Sequence, residues 1–186
     1  MEEKKIFVLI APSNKEAYEL MNKLAFVMQF SLYEIYVISP NRDEAEILET
    51  LGIQIIEVAE CKDSSNFLSA LSYIFSLRSV LRRLKPDATL GYATNAAIYG
   101  SIAARLSGVR SISCLITQTG YLPYFYKLGF AAAHNVIFQD YNDRYVHNLL
   151  GFVKSDNATV INGNADVKVW SIDFNDQLID AMKLKM

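Results

Sequence analysis

A chain of 186 residues, 52% hydrophobic and 20% charged, carries enough apolar material for one sizeable core, and this composition excludes a disordered chain. A net charge of −2 leaves no global basic field to draw nucleic acid. Cys61 and Cys114 stand far apart without metal-type spacing, so each is expected as a buried, reduced thiol; neither a metal site nor a cofactor is expected.

The first apolar run, residues 6–11, is continuous, as a strand buried on both faces should be. It is too short for the core of a signal peptide, and no run approaches the roughly 20 residues of a membrane span. The expected address is therefore cytoplasmic, with binding to the inner face of a membrane left open. Ser13-Asn14-Lys15-Glu16 has capping-box spacing and opens a helix with Ala17, Leu20, Met21, Leu24, Val27 and Met28 on one stripe. Residues 33–39 form the second strand, ending at Pro40. A short acidic helix over 42–51 stops at Gly52, and residues 53–58 form the third strand. A long helix starts near Ser64 and Ser65 and runs to Leu84, where Lys85-Pro86 ends it, because proline pushes the residue before it out of the helical region. The fourth strand covers 88–92 and the next helix 96–106, closing at Gly108. A fifth strand covers 111–116. A Gly/Tyr/Pro segment, 117–124, precedes a shorter apolar helix. The sixth strand covers 136–139, a helix 142–150 and a last strand 158–161.

Strand and helix alternate about six times. That pattern predicts an α/β fold, a doubly wound parallel sheet with helices on both faces and right-handed crossovers. Residues 1–167 are read as this domain and 168–186 as a linker or terminal helix. In such a sheet ligands bind beyond the carboxyl ends of the strands, where the strand order reverses. With the usual order, three loops meet there: residues 11–15, 91–95 and 117–124.

The first loop, APSNKE, has no G-x-G-x-x-G, which argues against a nicotinamide or flavin enzyme, and the chain has no P-loop. Ser13, Asn14, Thr94 and Asn95 are most simply helix caps. A helix N-terminus also offers free N–H groups to a phosphate or sugar hydroxyl, so cap and ligand roles can coexist. Thr117, Gly120 and Tyr121 lie in a polar, aromatic loop that suits either packing or a sugar platform. The substrate-binding candidates are thus Ser13, Asn14, Thr94, Asn95, Thr117, Gly120 and Tyr121; no residue earns a catalytic role. His134 and His147 read as structural or solvated. Arg78, Arg82, Arg83 and Lys85 gather at the end of the long helix; offsetting its dipole is the simpler reading, an anionic membrane contact the sharper one.

The chain resembles the N-terminal domain of family-4-type GT-B glycosyltransferases. The resemblance rests on Val37-Ile38-Ser39-Pro40, Leu51-Gly52-Ile53, Lys85-Pro86-Asp87, the stretch from Asn95 through Gly100 and Arg105 to Val109, Ile116-Thr117 with Gly120-Tyr121, Val136-Ile137-Phe138-Gln139 with Asp143-Arg144, and Val160 to Val167. Each is weak alone; their order across residues 6–167 makes the likeness specific.

The resemblance implies a Rossmann-like domain, one half of a GT-B fold, that holds the acceptor while a second domain holds a nucleotide sugar. Similar members build bacterial capsule, O-antigen and glycan-lipid intermediates, often on polyprenyl-linked acceptors. It implies hexosyl transfer with a nucleotide sugar as co-substrate, a glycan or polyprenyl-linked acceptor, no nucleic acid and a peripheral membrane contact. No donor-domain pattern follows Val167, so this chain alone is expected to be incomplete. A non-catalytic module pairing with a separate donor-binding chain is the alternative.

Overall fold

The computed structural model describes residues 4–24, 33–61, 66–117 and 123–161. Seven strands form one parallel sheet: β1 (Lys5–Ile10), β2 (Tyr33–Ser39), β3 (Gln54–Glu57), β4 (Ala88–Tyr92), β5 (Ser111–Ile116), β6 (Asn135–Phe138) and β7 (Ala158–Val160). Their order is β3-β2-β1-β4-β5-β6-β7, and every neighbouring pair is parallel. The order reverses between β1 and β4, where Leu9 lies between Val37 on one side and Leu90 on the other. The expected Rossmann-like, doubly wound sheet is what the chain forms.

Side chains of β1 alternate between two cores. Val8 and Ile10 join one, with α3 (Phe67–Leu84), α4 (Thr94–Ser107) and α5 (Pro123–Ala132). Phe7, Leu9 and Ala11 join the other, with α1 (Asn14–Leu24) and α2 (Ala45–Thr50). A sixth helix, α6 (Tyr141–Leu149), packs His147 against Phe130 and Phe138 of the first core. Because both faces are covered, β4 and β6 are buried at every residue, which explains their mainly apolar sequences, with Thr89 and Asn135 the buried polar members.

Several boundaries differ from the sequence reading. α2 spans Ala45–Thr50 rather than 42–51, because Glu44 takes a left-handed conformation, φ 59°, that no helix can propagate through. α4 begins at Thr94, two residues early, and α3 begins at Phe67, capped by Asn66. Asn66 Oδ1 accepts from the N–H groups of Leu68 and Ser69 at 3.0 and 3.4 Å. Val27 and Met28, the expected starting residues Ser64 and Ser65 and the boundary at residue 167 lie outside the described residues. Both cysteines are buried, as expected. Burial drives the Cys114 thiol up to about 12, although Ser101 hydrogen bonding lowers it, so it is inert near neutral pH. Among the described residues no helix is long and apolar enough to cross a membrane.

Candidate functional site

The reversal of strand order brings the carboxyl ends of β1, β4 and β5 together. The sequence candidates Ser13 and Asn14 follow β1, Thr94 and Asn95 follow β4, and Thr117 follows β5. Gly120 and Tyr121 lie outside the described residues.

Each of these side chains does something different. Ser13 caps α1. Its Oγ accepts from the N–H of Glu16 at 3.2 Å and donates to the Glu16 carboxylate at 3.0 Å, so the serine half of the expected capping box forms, with the carboxylate on the Ser13 hydroxyl. Asn14, only 1% exposed, does not cap. Its amide donates to the carbonyls of Asn41 and Asp43 at 2.9 and 2.8 Å, and its oxygen accepts from Ser39 Oγ at 2.6 Å. It therefore clamps the start of α1 to the loop after β2, with both amide hydrogens engaged.

Thr94 and Asn95 do not cap either. The N-cap of α4 is Ala93, whose side chain makes no cap hydrogen bond. Ala93 carries φ 64° and ψ 167°, a region essentially reserved for glycine, and a strained backbone of this sort is stored where the surroundings over-determine it. Those surroundings begin at Gly91. A Cβ built on Gly91 would fall 2.5 Å from Ala97 Cα, so α4 lies against β4 with no room for any side chain between them. The close approach forces the turn at Ala93 and holds the start of α4 at the reversal point. Thr94, Asn95 and Thr117 are half-buried there. The result is a helix N-terminus whose N-cap residue offers no polar side chain, with its partial positive charge, at the crevice.

Reasoning from sequence missed an acidic and phenolic set beside this helix end. Tyr92, the last residue of β4, is 5% exposed. Burial, with the charges of Glu16 and Glu19 adding, pushes its hydroxyl up to about 12. Glu60, after β3, has its carboxyl raised by burial and then by Glu16. Tyr73 of α3 is raised by burial, with Glu60 and Cys61 contributing. The field at this rim is thus negative around Glu16 and Glu60 and positive at the start of α4. Glu16 was visible only as half of a capping box, and no sequence spacing links it to Glu60 or Tyr92.

The histidines lie apart from these loops. His134 Nδ1 accepts from the Ile112 N–H at 3.1 Å, and Nε2 sits 3.1 Å from an Arg105 nitrogen. His147 is 2% exposed in a box of Tyr126, Phe130, Phe138 and Phe152. Both are structural, as expected.

A family model described as "Glycosyl transferase 4-like" matches residues 9–140. Among solved structures, MurG of Acinetobacter baumannii superposes with a TM-score of 0.59 at 20% identity, covering 86% of this chain and 45% of MurG. Alr3699/HepE of Anabaena, solved with UDP and glucose, gives 0.60 at 14% identity, covering 86% and 45%. A UDP-N-acetylglucosamine 2-epimerase from Rickettsia bellii gives 0.58 at 17% identity, covering 96% and 47%. The chain thus spans less than half the length of each, and it shares the fold of one half of these GT-B proteins. No curated protein matches it.

Proposed function

The chain belongs to the glycosyl transferase 4-like family, and from that premise we propose that it is the acceptor-binding domain of a glycosyltransferase. The reaction would move a hexose-like unit from a nucleotide sugar to a hydroxyl of a glycan or polyprenyl-linked acceptor, in bacterial surface-polysaccharide synthesis. The observation that carries this reading is the start of α4, set at the reversal of strand order by the close approach at Gly91 and the strained turn at Ala93. Amide groups fixed in this way orient an acceptor's hydroxyls or diphosphate without reorganising when it binds. Thr94, Asn95, Thr117, Gly120 and Tyr121 are the residues we assign to that contact. Ser13 and Asn14 shape the crevice wall through α1. No general base is assigned.

A lipid-linked acceptor requires access to a membrane face, in the cytoplasm. Phe67, Leu68 and Phe75 of α3 are 61%, 74% and 57% exposed, and this apolar stripe supports a peripheral contact. The test of the reading is acceptor titration. Asn95→Ala combined with Tyr121→Ala is expected to weaken binding of a soluble diphosphate-linked sugar acceptor at least about tenfold, with the fold intact by circular dichroism. Unchanged titration in the folded double variant would refute the site.

The exposed face of α6 favours a second reading. Tyr141, Tyr145 and Leu149, one turn apart, are 59%, 67% and 74% exposed. Such a stripe suits a non-catalytic module that pairs with a separate donor-binding chain. Sugar transfer by this chain alone, assayed with a nucleotide sugar and acceptor, would exclude that reading.

A further inference from the structure

The sheet has a second polar rim, at the amino ends of its strands and opposite the crevice. There α3 and α4 end side by side, and a cavity of about 420 Å³ opens between the loops that follow them. Among the described residues Arg82, Lys85 and Arg110 line it, together with a single carboxylate, Asp87.

That carboxylate is largely engaged elsewhere. Asp87 Oδ2 accepts from the Ile6 N–H at 3.0 Å, and its Oδ1 lies 3.8 Å from Arg110, whose side chain is 87% exposed. The pair with Arg110 is long and solvated, so it holds the guanidinium weakly. Lys85 caps α3 in the left-handed region, φ 50° and ψ 54°. The neighbouring end of α4 has the same kind of cap and fills it with Gly108, φ 77°. Glycine takes that conformation without strain and lysine does not. A strained lysine therefore stands at the cavity where its neighbour uses glycine.

Dipole compensation alone does not account for the charge. Each helix C-terminus carries roughly half a negative charge. Three cations set against one carboxylate and two helix ends leave about one positive charge unbalanced. The chain as a whole has a net charge of −2, so the excess is local. Two guanidinium groups suit a tetrahedral oxyanion, which they contact in paired hydrogen bonds. The volume exceeds what one inorganic phosphate fills and falls within the range of small-ligand sites, about 300–1,000 Å³.

We propose that the cavity between the C-terminal ends of α3 and α4 binds a phosphate group. The ligand is either a soluble phosphoester or diphosphate, or the headgroup of an anionic phospholipid. The site stands independently of the acceptor crevice, because it lies at the other edge of the sheet and shares no residue with it.

The experiment titrates pyrophosphate into the full chain at low ionic strength, by calorimetry and by the amide signals of Gly108 and Val109. In parallel, the chain is sedimented with phosphatidylglycerol vesicles and with phosphatidylcholine vesicles. Binding of pyrophosphate is expected, and Arg82→Gln with Arg110→Gln should weaken it at least about tenfold. Lys85→Gly should weaken it in the same direction while folding at least as well as the parent, because glycine suits the left-handed cap. Arg83→Gln, on the same helix but outside the cavity, should leave it unchanged. If phosphatidylglycerol vesicles alone also retain the chain, and the double variant is released, the phosphate belongs to a lipid. Pyrophosphate binding without vesicle binding identifies a soluble ligand. The proposal is overturned if neither probe binds, or if Arg83→Gln weakens binding as much as the cavity variants do, which would indicate a diffuse field.

Discussion

Asn14, itself buried, gives both amide hydrogens to the loop after β2 and takes one from Ser39. Asn14→Ala removes three hydrogen bonds from a buried side chain and unties the start of α1 from the loop after β2, so it should lower stability by about 2–3 kcal/mol in urea denaturation. A loss under 0.5 kcal/mol, roughly the scale of a surface substitution, would mean the clamp is not structural. Ala93 presents the reverse situation, since its backbone holds strain. Ala93→Gly should stabilise the fold by about 1 kcal/mol, the relieved strain exceeding the added chain entropy of glycine; a drop in midpoint would contradict it. His147 is buried, with no hydrogen-bond partner for either ring nitrogen among the described residues, and burial lowers its pKa while Asp143 opposes the shift only in part. Its native state therefore prefers the neutral ring. The unfolded chain takes up the proton first, so stability is full above the ordinary value of 6.5 and falls as pH drops below it. His147→Leu should flatten that dependence between pH 7 and 5, even if it costs stability at neutral pH. An unchanged slope would shift the effect to His134, which burial and Arg105 also lower. At this scale Ser13 was legible because its partner lies three residues away. Asn14 was not, because its partners lie 25 to 29 residues on.

Among the elements, α4 does most to shape the crevice. Its N-terminus is placed by its contact with β4, and that contact exists because Gly91 has no side chain. Gly91→Ala would set a methyl 2.5 Å from the Ala97 backbone. Neither backbone can yield cheaply, so the substitution should destabilise by at least about 2 kcal/mol, read as a lowered Tm. Wild-type stability in that variant would show that α4 does not depend on the close approach. The sequence reading placed β2, β4 and β5 with the observed limits, since buried parallel strands are apolar runs bounded by Pro, Gly or charged residues. It misplaced the start of α4 because Thr94 and Asn95 look like caps. The true cap, Ala93, has no polar side chain and so leaves no local signal. The same limit hid Tyr92, Glu16 and Glu60, which meet only through the sheet order.

For the molecule as a whole, the strand order decides where chemistry is possible. With β1 and β4 adjacent, the carboxyl rim gathers the start of α4, the acidic end of α1 and the loop leaving β5, while the amino rim gathers the cations of α3 and the β5 approach. Alternation of strand and helix made that order predictable, and the ordered family motifs made the transferase likeness readable. The cavity at the amino rim was not readable, because Arg82 and Arg110 meet only once α3 and α4 pack together. The central claim is that acceptor binds at the start of α4. It is tested most directly by mapping amide shifts while a soluble diphosphate-linked sugar acceptor is titrated into the labelled chain. The account predicts that Thr94, Asn95 and Ala96 shift first and saturate together with Thr117. Shifts that leave these amides untouched while the acceptor binds elsewhere would contradict it.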